Sequence, residues 1–361
     1  MAVAGTPTIH DVARAAGVSI STVSRALSRP DRVNGGTREV VVRAADELGY
    51  RPSPQARSLL SGRSDTVMLV LPDVTNPFFF GLIRGVQRQA AESGYSQVVV
   101  DTDESVDTET NQLLAARKSV DGVVLAASRL DDTALARAAE RVPLVAINRS
   151  VAGVGSVVID TPSAVREAVA HLARLGHTDI AYLGGPTGSW SGNRRRRAVM
   201  AAARGLDLRA VHLGNHPPTR EGGTAATGAV LASGVTAVLA FNDLQAIGLL
   251  AGLATAGVRV PGDVSVVGCD DIFGADFCSP ALTTLAAPVE QAGRLATTLL
   301  LERLAQPAGI RNPVRSERLP ARLVVRGSTG PAPRPVRPRG PGTTARPEQT
   351  SRPETARGAA R

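Results

Sequence analysis

Eight almost uninterrupted apolar runs alternate with amphipathic stretches over most of this chain: VMLVL at 67–71, QVVV at 97–100, VVLA at 123–126, LVAI at 144–147, VVI at 157–159, IAYL at 180–183, AVLAF at 237–241 and SVVG at 265–268. A strand with one wet face alternates apolar and polar residues, whereas a strand covered on both faces reads as a continuous run, the signature of a buried parallel sheet. Helical stretches fill the gaps at 78–93, 107–118, 163–175, 194–204, 220–232, 243–256 and 289–304. The alternation predicts a doubly wound α/β region. Its length of about 260 residues exceeds one sheet of ordinary size, so two lobes are expected.

With 43% hydrophobic residues, the 361-residue chain has enough apolar surface to build such cores and is not disordered throughout. No apolar run approaches the roughly 18 residues of a membrane span, and Met1 to His10 lacks the basic-then-apolar order of a secretory signal. A cytoplasmic protein with no membrane association is expected. Two cysteines, Cys269 and Cys278, are too few for a disulfide framework or a four-cysteine zinc site. No metal and no cofactor is expected.

The net charge of +9 is unevenly placed. Residues 1–63 hold nine Arg against five acids and residues 328–361 hold seven Arg against two, which leaves the body between them neutral. A basic head on a neutral body suits a nucleic-acid-binding module joined to something else. Lys118 is the sole lysine, which reads as genomic GC bias before function.

The head carries three short amphipathic patterns. Thr8 and Asp11 form a capping-box start, followed by Ile9, Val12, Ala13 and Ala16 on one face, and Gly17 stops the helix. Ser19 is the next N-cap, with Ile20, Val23 and Leu27 at helical spacing; the short Gly17-Val18-Ser19 link forces a sharp angle, so the pair reads as a helix-turn-helix. A third helix is expected from about Thr37 to Leu48, with Val41, Ala44, Ala45 and Leu48 inward and Gly49 as its stop. The second helix offers Ile20, Ser21, Thr22, Ser24 and Arg25 to a major groove. Ser21 and Arg25 suit base edges, Ile20 a thymine methyl, and Ser19, Thr22 and Ser24 phosphates; Thr8 is a further DNA-binding candidate. An ordinary helical hairpin with a wet polar face is the plain alternative.

The strings TIHDVARAAGVSISTVSRALS, TREVVVRAADELGYRP and ARSLLSG resemble the head of the lactose/galactose repressor (LacI/GalR) family of bacterial transcription regulators, and the order of motifs continues to Val325. The resemblance implies a homodimer on a pseudo-palindromic double-stranded operator. It implies a helix-turn-helix domain at 1–52 and a hinge segment at 53–63, whose helix at 53–60 places Leu59 in the minor groove with Ala56 beside it. An apolar wedge of that kind unstacks a base step; the alternative for Leu59 is a core position in the adjoining lobe. Gly35-Gly36 stand where the family more often has polar helix-starting residues, so a loose start to the third helix is expected.

The body, 64–327, resembles two-lobed periplasmic sugar-binding proteins, with lobe 1 at about 64–160 and 289–318 and lobe 2 at about 161–288 and 319–327. Ligands of open α/β sheets lie beyond the carboxyl ends of strands. Asn76, Phe78, Phe79, Asn148, Arg149, Asn242, Asp243 and Asp270 follow strands in that way. On the family match, Asn76, Phe78, Phe79, Arg149, Arg195, Asn242 and Asp270 are the effector-binding candidates, joined by Asn148, Trp190 and His216. Within the run Arg194 to Arg197 only Arg195 is expected to turn inward. Two departures from the family pattern are Ala287, where Gln is frequent, and Asn148, where many sugar binders have Asp. Helix capping by Asp243 or Asp270, and a core role for Phe78 and Phe79, are the plain alternatives. The tail 328–361, rich in Pro, Gly, Arg and Thr, is expected to be disordered.

The chain has no Walker loop and no G-x-G-x-x-G, and GSWSG at 188–192 puts Trp190 where a nucleophile elbow needs Ser. The expected function is a non-enzymatic, sequence-specific regulator, a repressor of a carbohydrate-utilisation operon controlled by a sugar or sugar derivative. The competing reading is a sugar-binding or enzymatic α/β protein with a vestigial DNA-binding head.

Overall fold

The computed structural model describes residues 7–28, 32–51, 63–307 and 313–333. The hinge residues Ala56 and Leu59 lie outside them, as does the tail beyond residue 333.

The head is a three-helix unit: α1 (Ile9–Ala16), α2 (Ile20–Ser28) and α3 (Gly35–Leu48). The backbone N–H and the hydroxyl of Thr8 donate to the Asp11 carboxylate at 3.0 and 2.7 Å, and this draws the Asp11 pKa below its ordinary value. Gly17 leaves α1 with φ 65°, a left-handed turn that favours glycine. Ser19 Oγ accepts from Thr22 N at 3.2 Å and so caps α2. Val12, Ala13, Val23, Ala26, Val41, Ala44 and Ala45 close the core. Two local expectations fail. α3 starts two residues before Thr37 because Asn34 Oδ1 accepts from Gly36 N at 2.9 Å, a cap that tolerates the two glycines. Leu48 stands outward at 39% exposure, and Tyr50, turned in beyond the left-handed Gly49, packs on the head core.

Lobe 1 is built on a six-stranded sheet in the order β11-β5-β4-β3-β1-β2, formed by β1 (Thr66–Leu71), β2 (Ser96–Asp101), β3 (Gly122–Ala126), β4 (Leu144–Ile147), β5 (Gly155–Asp160) and β11 (Ser316–Pro320). All its pairings are parallel. Lobe 2 holds the parallel sheet β7-β6-β8-β9, from β6 (Asp179–Gly184), β7 (Arg209–Asn215), β8 (Ala237–Ala240) and β9 (Ser265–Val267). A two-stranded antiparallel ribbon pairs β10 (Thr284–Ala286) with β12 (Arg322–Val324). The chain passes between lobes three times: from β5 into the helix Thr161–Arg174, from β10 into the helix Val289–Leu304, and from β11 into β12.

The run 97–100 reads as doubly buried but forms the edge strand β2, leaving Val98 and Val99 exposed. The stretch 220–232 divides into helices Arg220–Ala225 and Thr227–Ser233. In lobe 1, helices Phe78–Glu92 and Val289–Leu304 pack backbone to backbone: a Cβ on Gly85 would lie 2.1 Å from the Glu290 carbonyl oxygen.

The start of the expected disordered tail needs correction. Residues 328–333 pack against lobe 2: Ser328 Oγ donates to the Val266 carbonyl at 2.6 Å, Val266 N donates to the Ser328 carbonyl at 2.8 Å, and Ala332 N donates to the Leu175 carbonyl at 2.8 Å. The buried His177 ring bridges Thr236, Ser265 and the Gly330 carbonyl. Backbone bonding to the open edge of β9 holds this segment, and composition does not report that.

Candidate functional site

Between the lobes lies a cleft with about 520 Å³ of space free of protein atoms, part of it open to solvent. Its walls are the carboxyl ends of strands. After β1, Asn76 Oδ1 accepts from Phe78 N at 3.0 Å and starts the helix Phe78–Glu92, which brings Phe78 and Phe79 to the wall with their rings edge to face at 5.1 Å. After β4, Asn148 takes φ 55° and accepts from Ile159 N at 3.0 Å. The side-chain amide nitrogens of Asn76 and Asn148 have no hydrogen-bond partner among the described residues, so both retain donors for a ligand.

Lobe 2 supplies a buried ion pair. Arg195, 5% exposed, approaches the Asp270 carboxylate at 3.6 Å, donates to the Phe241 carbonyl at 2.6 Å and stacks over the Phe241 ring. Burial pushes the Asp270 carboxyl up, against the pull of the Arg195 guanidinium beside it. The pair reaches two of the three crossovers: Arg195 Nε donates to Thr161 Oγ1 at 3.4 Å, and the Asp270 backbone bridges to Ala286. Asn242 lines the cleft but is satisfied within lobe 2, capping the helix Asp243–Thr255 through Gln245 N at 2.9 Å and donating to the Pro218 carbonyl at 2.8 Å. Trp190 also lines it, as the first residue of the helix Trp190–Arg204.

Eight of the ten expected effector residues therefore meet in one cleft. Arg149 and His216 do not line it. The Arg149 guanidinium turns away to Asp132 Oδ1 at 2.6 Å and the Leu130 carbonyl at 2.9 Å. The His216 ring folds back onto the Leu213 carbonyl at 2.9 Å, and Pro218 lines the wall. Of the alternatives weighed, Asn242 rather than Asp243 is the helix cap. Asp243 is buried and accepts from Thr284 Oγ1 and Ile272 N, and burial raises its pKa to about 6.

The sequence reading missed Glu104 and Arg129. Both nitrogens of one Arg129 edge donate to the two Glu104 oxygens, and Arg129 Nη1 donates to the Ala127 carbonyl at 2.8 Å. These residues follow β2 and β3, so the strand-end rule that found Asn76 and Asn148 finds them too. Backbone strain marks the same wall: Glu104, Ala127, Asn148 and Asp270, all lining the cleft, have positive φ without being glycine.

In the head, Ser19, Ile20, Ser21 and Arg25 are exposed and Thr22 and Ser24 half-buried, so α2 presents its N-terminal end outward. Ser19 Oγ is within 2.9 Å of the Ser21 and Thr22 hydroxyls, and Arg25 donates to Ser21 Oγ at 3.3 Å.

Fold and cleft together define a class of protein: a helix-turn-helix head carried by a two-lobed, periplasmic-binding-protein-like body. Residues 8–53 match the family described as bacterial regulatory proteins, lacI family, and residues 169–329 match the periplasmic binding protein-like domain. The chain is 34% identical over 331 residues to the HTH-type transcriptional repressor CytR of Escherichia coli K12, covering 89% of this chain and 96% of that one. It is 36% identical over 314 residues to the HTH-type transcriptional regulator CelR of Thermobifida fusca, covering 82% and 92%. The structure of the lac repressor dimer bound to operator and the anti-inducer ONPF superposes with a TM-score of 0.79 at 26% identity, covering 90% of this chain and 99% of that one. The chain belongs to the lacI family of bacterial transcription regulators.

Proposed function

We propose that this regulator is a repressor of a carbohydrate-utilisation operon and that a sugar or sugar derivative bound in the interlobe cleft releases it from its operator. The observation that carries the reading is the Arg195–Asp270 pair, which lines the cleft and is bonded to two of the three crossovers that join the lobes. A polyol held by Asn76 and Asn148 of lobe 1 and by Arg195 and Asp270 of lobe 2 favours one lobe angle over another, and only such differential binding shifts a two-state equilibrium. Phe78, Phe79 and Trp190 offer apolar faces to a sugar ring. Related structures hold such ligands: that of CelR is a cellobiose complex, and an Enterococcus faecium LacI family regulator contains ribose.

On the DNA side, Ser21 and Arg25 read base edges, Ile20 meets a thymine methyl, and Thr8, Ser19, Thr22 and Ser24 face phosphates. The working unit is a homodimer: Phe80, Val98 and Val99 of lobe 1 and Phe273 and Phe277 of lobe 2 leave exposed apolar surface of the kind a partner covers. The protein acts in the cytoplasm and without catalysis; no helix among the described residues is long and apolar enough to cross a membrane.

The test is a gel shift against the DNA upstream of the protein's own gene, with cellobiose, ribose and other sugars added in turn. A discrete complex dissolved by one sugar is expected. Linkage requires the operator to weaken binding of that sugar by the same factor, so saturating DNA and sugar with no mutual effect sinks the proposal.

A further inference from the structure

We propose that the floor of lobe 1 is a second, sequence-independent contact surface for the phosphates of duplex DNA; this rests on the DNA-binding reading above. The effector cleft lies at the carboxyl ends of the strands, and the chain enters lobe 1 at the opposite end, through Arg63 and Ser64 just before β1. At that floor Arg63, Arg117 and Arg141 line one groove around Asp121 and Pro143, and Lys118 is exposed beside Arg117. Arg117, Lys118 and Arg141 make no ion pair among the described residues. The one acid of the groove is already engaged: Asp121 accepts from Ser64 N at 2.7 Å, Ser64 Oγ at 2.9 Å and Asp65 N at 3.1 Å, and lies 3.8 Å from Arg63.

The body as a whole is neutral, so this concentration of cations is local. The chain from Arg51 to Arg63 spans at most about 40 Å even when fully extended. A duplex gripped by the head is thus the polyanion that the tether brings to this floor. Positive side chains there add phosphate contacts and counterion release without adding base preference.

Arg117 and Lys118 end the helix Val106–Ser119, and Arg141 ends the helix Asp132–Arg141, where cations also favour the helix dipole. The experiment separates the two roles. Binding of the full chain to a random duplex is measured over a series of salt concentrations for the parent, for Arg117→Ala/Arg141→Ala, and for Arg196→Ala/Arg197→Ala. The last pair removes equal charge from an exposed groove on lobe 2 that no linker joins to the head.

The expected result is a log–log salt slope shallower by about 2 per protomer, about 4 for the homodimer, in the floor variant, at roughly 0.9 per phosphate lost, and unchanged for the lobe 2 variant. A lower melting temperature with the parental slope assigns the arginines to helix ends and overturns the proposal, as does an equal change in both variants. A parent chain that binds no duplex overturns the proposed function and this surface with it. A parent that binds, with a floor variant indistinguishable from it, overturns the floor alone.

Discussion

Helix α2 and the interlobe cleft are both polar surfaces, yet they are constructed in opposite ways. On α2 the polar groups are exposed or half-buried, and among Ser19, Ser21, Thr22 and Arg25 the contacts are with one another. In the cleft, Arg195, Asp270 and Asn242 are buried and tied to carbonyls and crossovers of the lobes themselves. On the proposed function, a surface that must be traded between water and DNA stays wet. A site that must change the angle between two lobes is wired into them. The same kind of substitution therefore costs function alone in one region and function plus stability in the other.

Arg195→Ala is the strongest test of that contrast. Burial holds the Asp270 carboxyl largely protonated at neutral pH, so the loss is that of Arg195's charge-assisted bonds to the Phe241 carbonyl and Thr161, expected to destabilise the body by about 1.5–3 kcal/mol, read by urea denaturation. A loss below about 1 kcal/mol breaks the distinction. Asp243 sharpens it with pH. Its folded pKa of about 6 lies above the unfolded value, so the folded state binds the extra proton and this group's contribution to stability falls as pH rises from about 4 to 6. Asp243→Asn removes that slope, a difference of at most about 3 kcal/mol across the window at 1.36 kcal/mol per pKa unit. The comparison is made as variant minus parent, because the buried His177, whose pKa is lowered by desolvation, loses stability toward acid in the same range. Parallel pH profiles for variant and parent contradict the assignment.

In the head, Arg25→Ala is expected to cost about 1–3 kcal/mol of discrimination between operator and random DNA, with melting unchanged. Loss of folding together with specificity is the outcome that erases the contrast. Thr8→Ala probes the boundary case, an exposed residue with a structural bond. Removing its hydroxyl from Asp11 is expected to lower head stability slightly, the smallest effect of the four, followed by amide exchange in α1.

Much of the architecture was legible because burial on both faces leaves an unambiguous mark in sequence: β1, β3, β4, β6 and β8 fall on their apolar runs. The edge strand β2 carries the same mark while exposing Val98 and Val99, since composition records apolarity and not what covers it. The strand β7 was not seen, for the complementary reason that its residues are half-exposed. In the cleft, strand ends located Asn76, Asn148, Asn242 and Asp270, but adjacency in sequence did not separate Asn148 from Arg149. Consecutive side chains leave the backbone in different directions, and the left-handed turn at Asn148 decides which of the two lines the cleft.

The amino-acid order by itself determined the alternation of strands and helices, the helix-turn-helix and the strand ends that line a cleft, because periodicity and capping are local properties of the chain. Only the tertiary structure decided that Arg195 meets Asp270, that Glu104 meets Arg129, and that residues 328–330 lie along β9. Those contacts join segments distant in sequence, and their free energy comes from excluding water and satisfying backbone groups across an interface that exists only once the lobes have formed.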